Sequence, residues 1–239
     1  KGCQSPKMEV GGQGKKKIML VMDAPGRDDD ASGKHFMGET GKYLRRTLRG
    51  LGIDPDVDCW MTYAAICHSA EQPVSTQIVN YCKPNILQQI EKLEPRTVIT
   101  FGFYATSLLV SHAWGESISE LEPWVGSLIP AQKYNAWICP NYDIRHIMSF
   151  DYKKALGNYF RHYLSRAIKT ARETPFPDGV PEYKNQIELV YSSDEIIDRI
   201  TDIRDGSTIA FDYECSALKP EADGAKIVSC AICVNGDST

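Results

Sequence analysis

The sequence predicts an α/β fold, a parallel sheet flanked by helices. Short apolar runs alternate with longer segments of helical periodicity over residues 1–171, and this alternation is typical of parallel α/β domains. The predicted elements, in chain order, are strand 17–22, helix 38–53, strand 59–66, helix 78–93, strand 96–102, helix 103–112, strand 135–140 and helix 152–171. Ligands of such sheets bind at the carboxyl ends of the strands. The segments that leave this edge are 23–38, 67–75 and 140–148.

Each element has a local justification. KIMLVM at 17–22 is an uninterrupted apolar run, as in buried parallel strands. Apolar side chains recur at helical spacing through 38–53, and glycines end that helix. Ser75 is the expected N-cap of the helix over 78–93, which Pro84 is expected to kink or divide. CWMTYAAI, RTVITFG and NAWICP predict the other strands, and YKKALGNYFRHYLSRAIKTA predicts an amphipathic helix.

A second unit follows the first. RETPFPDGVPEYKNQ, residues 172–186, holds three prolines and no hydrophobic period, which is typical of a linker. Residues 187–239 predict a strand (IELVY), a helix (SSDEIIDRITDIRD) and two strands within STIAFDYECSALKP and AKIVSCAICV. The predicted domains are therefore 1–171 and an incomplete 187–239. Because the chain does not begin with Met and stops just after an apolar strand, we expect it to be part of a longer polypeptide.

Composition limits the class of protein. A net charge of −4 argues against a uniformly basic nucleic-acid wrapper, although it is compatible with a local basic patch. The sequence lacks a run of about 18 apolar residues that would span a membrane, and its N-terminus lacks the hydrophobic segment of a secretory signal. We therefore expect a cytoplasmic protein whose eight cysteines are thiols or metal ligands rather than disulfides.

The segment VMDAPGRDDDASGKHFMG, residues 21–38, is the first candidate for a binding loop. It matches neither glycine-rich phosphate motif, and its four aspartates would repel a phosphate. The aspartates are compatible with a metal site, but adjacent acids on a loop are more often simply solvated. Phe36 is the informative residue, because an aromatic ring at a pocket edge stacks on a base. A buried core phenylalanine is an equally good interpretation of the residue alone.

Four ordered stretches resemble one known family. They are KKKIMLVMDAPGRDDDASGKHFMGETGKYLRRTLRGLGID, DCWMTYAAICHS, IVNYCKPNILQQIEKLEPRTVITFG and WICPNYDIRHIM. Together they resemble the uracil-DNA glycosylase superfamily, specifically its iron–sulfur-containing type (families 4 and 5), over roughly residues 1–170. The resemblance implies a domain that extrudes a nucleotide from DNA and holds its base in a pocket. A nucleotide-binding α/β domain of unrelated function is the remaining reading of the fold alone.

The resemblance assigns roles to the opening loop. Asp23 stands in place of the family's glutamate, where a carboxylate orients or deprotonates the water that attacks the sugar. Ala24, Pro25 and Gly26 continue the base-binding segment, and Phe36 matches the residue that stacks on uracil.

Two positions depart from the family. Tyr63 stands where the family has an asparagine that pairs with uracil, and a phenol cannot reproduce the donor and acceptor of an amide. Asp143 stands where the family has a histidine, and an ionised aspartate would repel the negative charge that builds on the leaving base. The first hypothesis is excision of uracil or another altered base. The second, favoured by these two changes, is a catalytically inactive DNA-binding module.

Cysteines and basic residues fit the same resemblance. Cys67 and Cys82 match two ligands of the family's 4Fe–4S cluster, Cys3 stands where a third would lie, and the fourth would lie upstream of residue 1. Buried thiols without a cluster are the alternative. The basic side chains of one predicted helix would meet DNA phosphates or form a solvated face: Lys42, Arg45, Arg46 and Arg49.

The second unit carries its own motif. Asp212 and Glu214 are two apart on a predicted strand, so both carboxylates project from one face. That arrangement suits a divalent metal, and an exposed strand face is the alternative. TIAFDYECSALKPEADGAKIVSCAICV resembles the first motif and hairpin of the RNase H-like 3′–5′ exonuclease domain of family A DNA polymerases. The resemblance implies Mg²⁺ or Mn²⁺ in a completed domain, DNA as partner, and a polymerase polypeptide from a bacterial cell or phage-infected host.

Overall fold

The computed structural model describes residues 7–68, 73–115, 117–149, 153–177, 187–204, 207–216 and 224–235. The chain divides into two compact units, Lys1–Val180 and Pro181–Thr239. None of the described helices is long and apolar enough to cross a membrane.

The first unit is built on a five-stranded sheet with the strand order β2-β1-β3-β5-β4. Its strands are β1 (Ile18–Met22), β2 (Cys59–Tyr63), β3 (Thr97–Phe101), β4 (Ile129–Ala131) and β5 (Ala136–Asn141). Its helices are α1 (Arg27–Ser32), α2 (Glu39–Gly50), α3 (Pro55–Asp58), α4 (Thr76–Leu93), α5 (Phe103–Trp114), α6 (Ile144–Ser149) and α7 (Lys153–Glu173). The predicted α/β fold with a mostly parallel sheet between helices is confirmed.

The register of the sheet brings four chain segments to one edge. Strand β1 pairs in parallel with β2 and β3, and β3 pairs in parallel with β5, whereas β4 runs antiparallel at the edge. Met22 lies opposite Tyr63 and Phe101, and Phe101 lies opposite Asn141. The loops that follow these four residues therefore leave the sheet side by side, as the prediction of a site at this edge requires.

Both faces of the sheet are buried. Ile18 and Leu20 of β1 face one apolar cluster, and Met19 and Val21 face the other. Helices α2, α6 and α7 cover the first face, and α4 and α5 cover the second. A strand covered on both faces is apolar at every position, which explains the unbroken run in the sequence.

Local details differ from the sequence-based expectations. The acidic stretch within the predicted binding loop forms the short helix α1. Strand β4 was not predicted, because it has three residues and contains Pro130. Ser75 caps α4 as predicted, its Oγ accepting the amide of Ile78 at 3.4 Å. The helix runs through Pro84 without dividing. Burial of one face of α4 against the sheet outweighs the local cost of that proline.

The end of the first unit extends beyond α7. The guanidinium of Arg96 donates to the carbonyl of Thr174 at 2.9 Å, and the Gln132 amide donates to that of Pro177 at 2.9 Å. The ring of Phe176 packs edge-on against Trp137 at 5.6 Å between centroids. The first residues of the predicted linker are therefore held against the edge of the sheet opposite the carboxyl edge, where β3 and β5 begin.

The second unit contains helix α8 (Ser193–Thr201) and the antiparallel strands β6 (Thr208–Cys215) and β7 (Ile227–Asn235). The strand expected over IELVY was not found, since residues 187–192 have no regular structure. The register is irregular between Glu214 and Cys215. Only the hairpin and one helix are described, so an RNase H-like domain stays a prediction.

Candidate functional site

Asp23 lies at the centre of the carboxyl edge, directly after β1. Its side chain is 7% exposed. One carboxylate oxygen, Oδ1, accepts the backbone amide of Ala105 at 2.8 Å. Ala105 is in the first turn of α5, so Asp23 supplies the N-terminal cap that the preceding glycine lacks.

Gly102 makes room for this carboxylate. It follows β3 with a φ of +104°, and a Cβ at this position would lie 2.5 Å from Oδ2 of Asp23. Neither the backbone conformation nor the space accepts a side chain. The end of β3 is thus shaped around the acid.

Burial governs the ionisation of Asp23. The pKa of the Asp23 carboxyl is raised to about 7, chiefly by desolvation and to a smaller extent by the negative charge of Asp143. The amide of Ala105 and the positive charge of Arg145 act in the opposite direction on this pKa. A carboxyl group that titrates near neutral pH is suited to accept a proton from water.

Asp143 is paired with Arg145. The Arg145 Nη2 donates to Oδ2 of Asp143 at 2.7 Å, and Nε lies 3.1 and 3.2 Å from the two carboxylate oxygens. The backbone amide of Arg145 also donates to Oδ1 at 2.8 Å, at the start of α6. The repulsion expected from an ionised Asp143 stays a prediction, and the guanidinium of Arg145 lies against the carboxylate that would cause it. Sequence reasoning weighed Asp143 alone, although Arg145 two residues later was a visible signal.

Phe36 and Tyr63, both assigned to the base pocket by the resemblance, pack directly against each other. Both side chains are fully buried. The amide of Phe36 donates to the Tyr63 hydroxyl at 3.2 Å, and the two rings meet edge to face at 5.5 Å. Burial raises the pKa of the Tyr63 phenol, so it stays neutral. Of the two interpretations of Phe36, its burial agrees with a core phenylalanine, and stacking on a base stays a prediction.

The backbone around Phe36 is tightly specified. Its φ is +58°, in the left-handed region that side chains rarely adopt. The guanidinium of Arg45 donates to the carbonyls of His35 and Phe36 at 2.7 and 3.2 Å. A Cβ on Gly41 would lie 2.2 Å from the Phe36 carbonyl carbon, so α2 packs directly on this backbone. Arg45, expected to meet phosphates or solvent, instead holds the loop.

Asp29 is a second residue whose role the sequence concealed. Its buried carboxylate accepts the amides of Gly26 at 2.9 Å and Met37 at 2.6 Å. It therefore ties the start of the loop to its end, although adjacent aspartates suggested a solvated run. The signal was positional, since Asp29 alone among the loop acids lies three residues after Gly26, where a helix's first turn bonds back to its cap.

The segment Ala24–Gly26 lies beside the end of β2. Ala24 is half-buried, Pro25 is buried and Gly26 is exposed. The carbonyl of Pro25 lies 3.1 Å from Nδ1 of His68. The three residues expected to contact a base thus form a turn at the rim of the carboxyl edge.

Two of the predicted cluster ligands are described. Cys67, in the loop after β2, and Cys82, in α4, are both buried and belong to the apolar cluster on the face of the sheet that α4 and α5 cover. Cys3 lies outside the described residues, and among the residues that are described no three His, Cys, Asp or Glu side chains converge as metal ligands. Cys67 and Cys82 as ligands of an iron–sulfur cluster stay a prediction. Cys59 and Cys139 lie in the other cluster, where burial raises the pKa of each thiol to about 12.

Asp212 and Glu214 lie in the second unit. They alternate with Tyr213 along β6, opposite Ala231 and Ser229 of β7, and both are exposed. The shared face of the two carboxylates is as the spacing predicts.

Comparison with known proteins gives one consistent result. The family model described as "Uracil DNA glycosylase superfamily" matches residues 9–172. The type-4 uracil-DNA glycosylase of Saccharolobus solfataricus is 35% identical over 101 residues, which cover 41% of this chain and 46% of that protein. The type-4 enzyme of Pyrobaculum aerophilum is 32% identical over 107 residues, 44% and 54% of the respective chains. The chain thus spans about half the length of the curated relatives it matches.

Proposed function

The chain belongs to the uracil DNA glycosylase superfamily, and from this premise we propose that its first unit binds DNA at the carboxyl edge of the sheet without excising uracil. One observation carries the proposal: the ring of Tyr63 packs against that of Phe36, and its hydroxyl accepts a hydrogen bond from the backbone amide of Phe36. DNA as partner follows from what the family acts on.

The free-energy cost of moving the Tyr63 side chain away from Phe36 supports a pocket that is closed to a base. A base that stacks on Phe36 must first displace a fully buried phenol. Exposing a large side chain costs about 2 kcal/mol, and losing a buried hydrogen bond costs about 1 kcal/mol more. Opening the space therefore costs ~3 kcal/mol. A pyrimidine would recover this only by making equal contacts in the vacated volume.

Hydrolysis of the N-glycosidic bond is the second candidate, and the environment of Asp23 favours it. With a pKa of about 7, Asp23 would take the proton of a water whose oxygen bonds to the sugar C1′. The bond between C1′ and the base breaks, and its electron pair leaves with the base. Arg145 would stabilise that negative charge, the role that the resemblance gives to a histidine in place of Asp143. Hydrolysis would therefore act on a base that reaches Asp23 without displacing the side chain of Tyr63.

Cys67 and Cys82 would be two of the thiolates that hold a 4Fe–4S cluster. Their burial in the same apolar cluster, Cys67 just after β2 and Cys82 in α4, supports the assignment. Bound there, the cluster would cross-link the loop after β2 to the helix and contribute to folding. Cys3 and an upstream residue are the proposed remaining ligands.

For the second unit we propose the start of a 3′–5′ exonuclease domain within a DNA polymerase polypeptide. Its support is the exposed face that Asp212 and Glu214 share on β6. These two carboxylates would bind Mg²⁺ or Mn²⁺ once further ligands complete the site.

The test of the first proposal compares the protein with Tyr63→Asn and Tyr63→Phe. Each is incubated with uracil-containing single- and double-stranded oligonucleotides, and alkali-labile sites and binding anisotropy are measured. We expect binding without cleavage by the unaltered protein, and tighter binding of uracil-containing than thymine-matched DNA by Tyr63→Asn. Tyr63→Phe keeps the ring in place and is the matched control. Alkali-labile sites from the unaltered protein that disappear in Asp23→Asn would establish the second candidate instead.

A further inference from the structure

Helix α7 carries a concentration of positive charge in a chain whose net charge is −4. The helix sequence contains six Lys or Arg and one Glu. Exposed basic residues with described side chains are Arg161, Arg166, Lys169 and Arg172. A local positive surface on an acidic protein indicates an anionic partner.

The same helix contributes to a row of tyrosines. Tyr159 and Tyr163 are one turn apart, with ring centroids 6.1 Å apart and planes inclined by 20°. Tyr142, just after β5, extends the row, its ring 6.3 Å from that of Tyr163. Tyr159 is 54% exposed at the outer end. We call these three residues the tyrosine row.

The backbone of Gly126 holds the middle ring of the tyrosine row in place. A Cβ on Gly126 would lie 2.6 Å from the Tyr163 ring, so this ring lies directly on the Gly126 backbone. Arg166, one turn after Tyr163, donates to the Gly126 carbonyl at 3.2 Å. The middle ring is therefore fixed, and it presents a preformed surface.

The row is continuous with the candidate site. Tyr142 immediately precedes Asp143, whose charge raises the pKa of Asp23. A strand lying along α7 would thus run towards the carboxyl edge of the sheet.

We propose that the tyrosine row, with Arg166 one turn after Tyr163 as the cation beside it, binds single-stranded DNA. Unpaired bases stack on aromatic rings, and cations beside the rings neutralise the phosphates. A duplex keeps its base faces stacked inside, so it would meet only the cations. This surface lies outside the space closed by Tyr63, and the proposal goes beyond base recognition at Phe36.

The test uses the full chain and labelled oligothymidine, single-stranded or in a duplex, followed by fluorescence anisotropy. We expect Tyr159→Ala to weaken single-strand binding about 10- to 30-fold and to change duplex binding less than about twofold. Tyr159→Trp should restore the affinity. Tyr81→Ala is the matched control, because Tyr81 is 74% exposed on α4, at the opposite face of the sheet.

A salt series separates stacking from charge. Arg166→Gln should lower the magnitude of the slope of log K against log salt by about 0.7, the value for one phosphate contact on a single strand, whereas Tyr159→Ala should leave that slope unchanged. Equal affinities for Tyr159→Ala and Tyr81→Ala, or an equal loss on the duplex, would overturn the proposal. Neither outcome depends on uracil or on cleavage, so the function proposed for the Tyr63 site is judged separately.

Discussion

Replacing Asp23 with asparagine should stabilise the first unit at alkaline pH. Asparagine keeps an oxygen to accept the Ala105 amide but carries no charge to desolvate. The pKa of Asp23 is raised in the folded state, so the protonated acid is the form that folding favours. The contribution of Asp23 to the free energy of unfolding is therefore fully present below about pH 4 and is lost as the pH rises towards 7, because ionisation of the buried carboxyl opposes folding.

The magnitude follows from the two pKa values. The carboxyl titrates at about 7 when folded and at 3.8 ordinarily. At about 1.4 kcal/mol per pKa unit, the full effect is ~4 kcal/mol above pH 7. At pH 5 the unaltered protein has already lost ~1.6 kcal/mol of this free energy of unfolding. The difference in the free energy of unfolding between Asp23→Asn and the unaltered protein should therefore grow by about 2–3 kcal/mol between pH 5 and pH 8.

Urea unfolding followed by tryptophan fluorescence measures this difference. All four tryptophans lie between residues 60 and 137, so the signal reports the first unit. Comparing variant and unaltered protein at each pH cancels the titration of other groups. Asp28→Asn is the control, since Asp28 is exposed on α1 and should change the free energy of unfolding by less than about 0.5 kcal/mol. A difference between Asp23→Asn and the unaltered protein that is the same at pH 5 and pH 8 would refute the reasoning.

Two further predictions rest on the same site. Arg145→Gln removes the cation that lowers the pKa of Asp23 and leaves Asp143 unpaired, so carboxyl NMR should show the Asp23 pKa above its unaltered value; an unchanged value would contradict the assigned electrostatics. Gly41→Ala should destabilise the first unit by about 2–4 kcal/mol in urea despite alanine's higher helix propensity, because its methyl would overlap the backbone of the preceding loop. Gly33→Ala, with a φ of +63° and no neighbour within 4 Å, should cost only about 1 kcal/mol, and equal losses would show that overlap is not the cause.

The sheet was predictable because each strand is marked in the sequence by its own short run of apolar residues. Strands buried on both faces must be apolar throughout, and parallel strands place their carboxyl ends together. The order of strands and loops in the sequence therefore places Asp23 and Asp143 at the same edge of the sheet. The charge of Asp143 raises the pKa of Asp23, which agrees with this placement.

The contents of the site were not predictable in the same way. The contact between Phe36 and Tyr63 depends on a left-handed backbone at Phe36, which no residue preference signals. Asp29 looks like its acidic neighbours in sequence, but only its side chain reaches the amides at both ends of the loop. Short elements such as β4 arise from pairing with a strand already in place, and not from their own composition.

The phenol that fills the space beside Phe36 acts as a built-in competitor for any base. If opening costs ~3 kcal/mol, the open form is on the order of 1% of the population, and a ligand's apparent affinity is reduced about 100-fold. A smaller side chain at position 63 therefore raises affinity by at most that factor, whatever the ligand. A larger gain would mean that the new side chain makes contacts of its own, and a gain near the ceiling would measure how seldom the protein opens by itself.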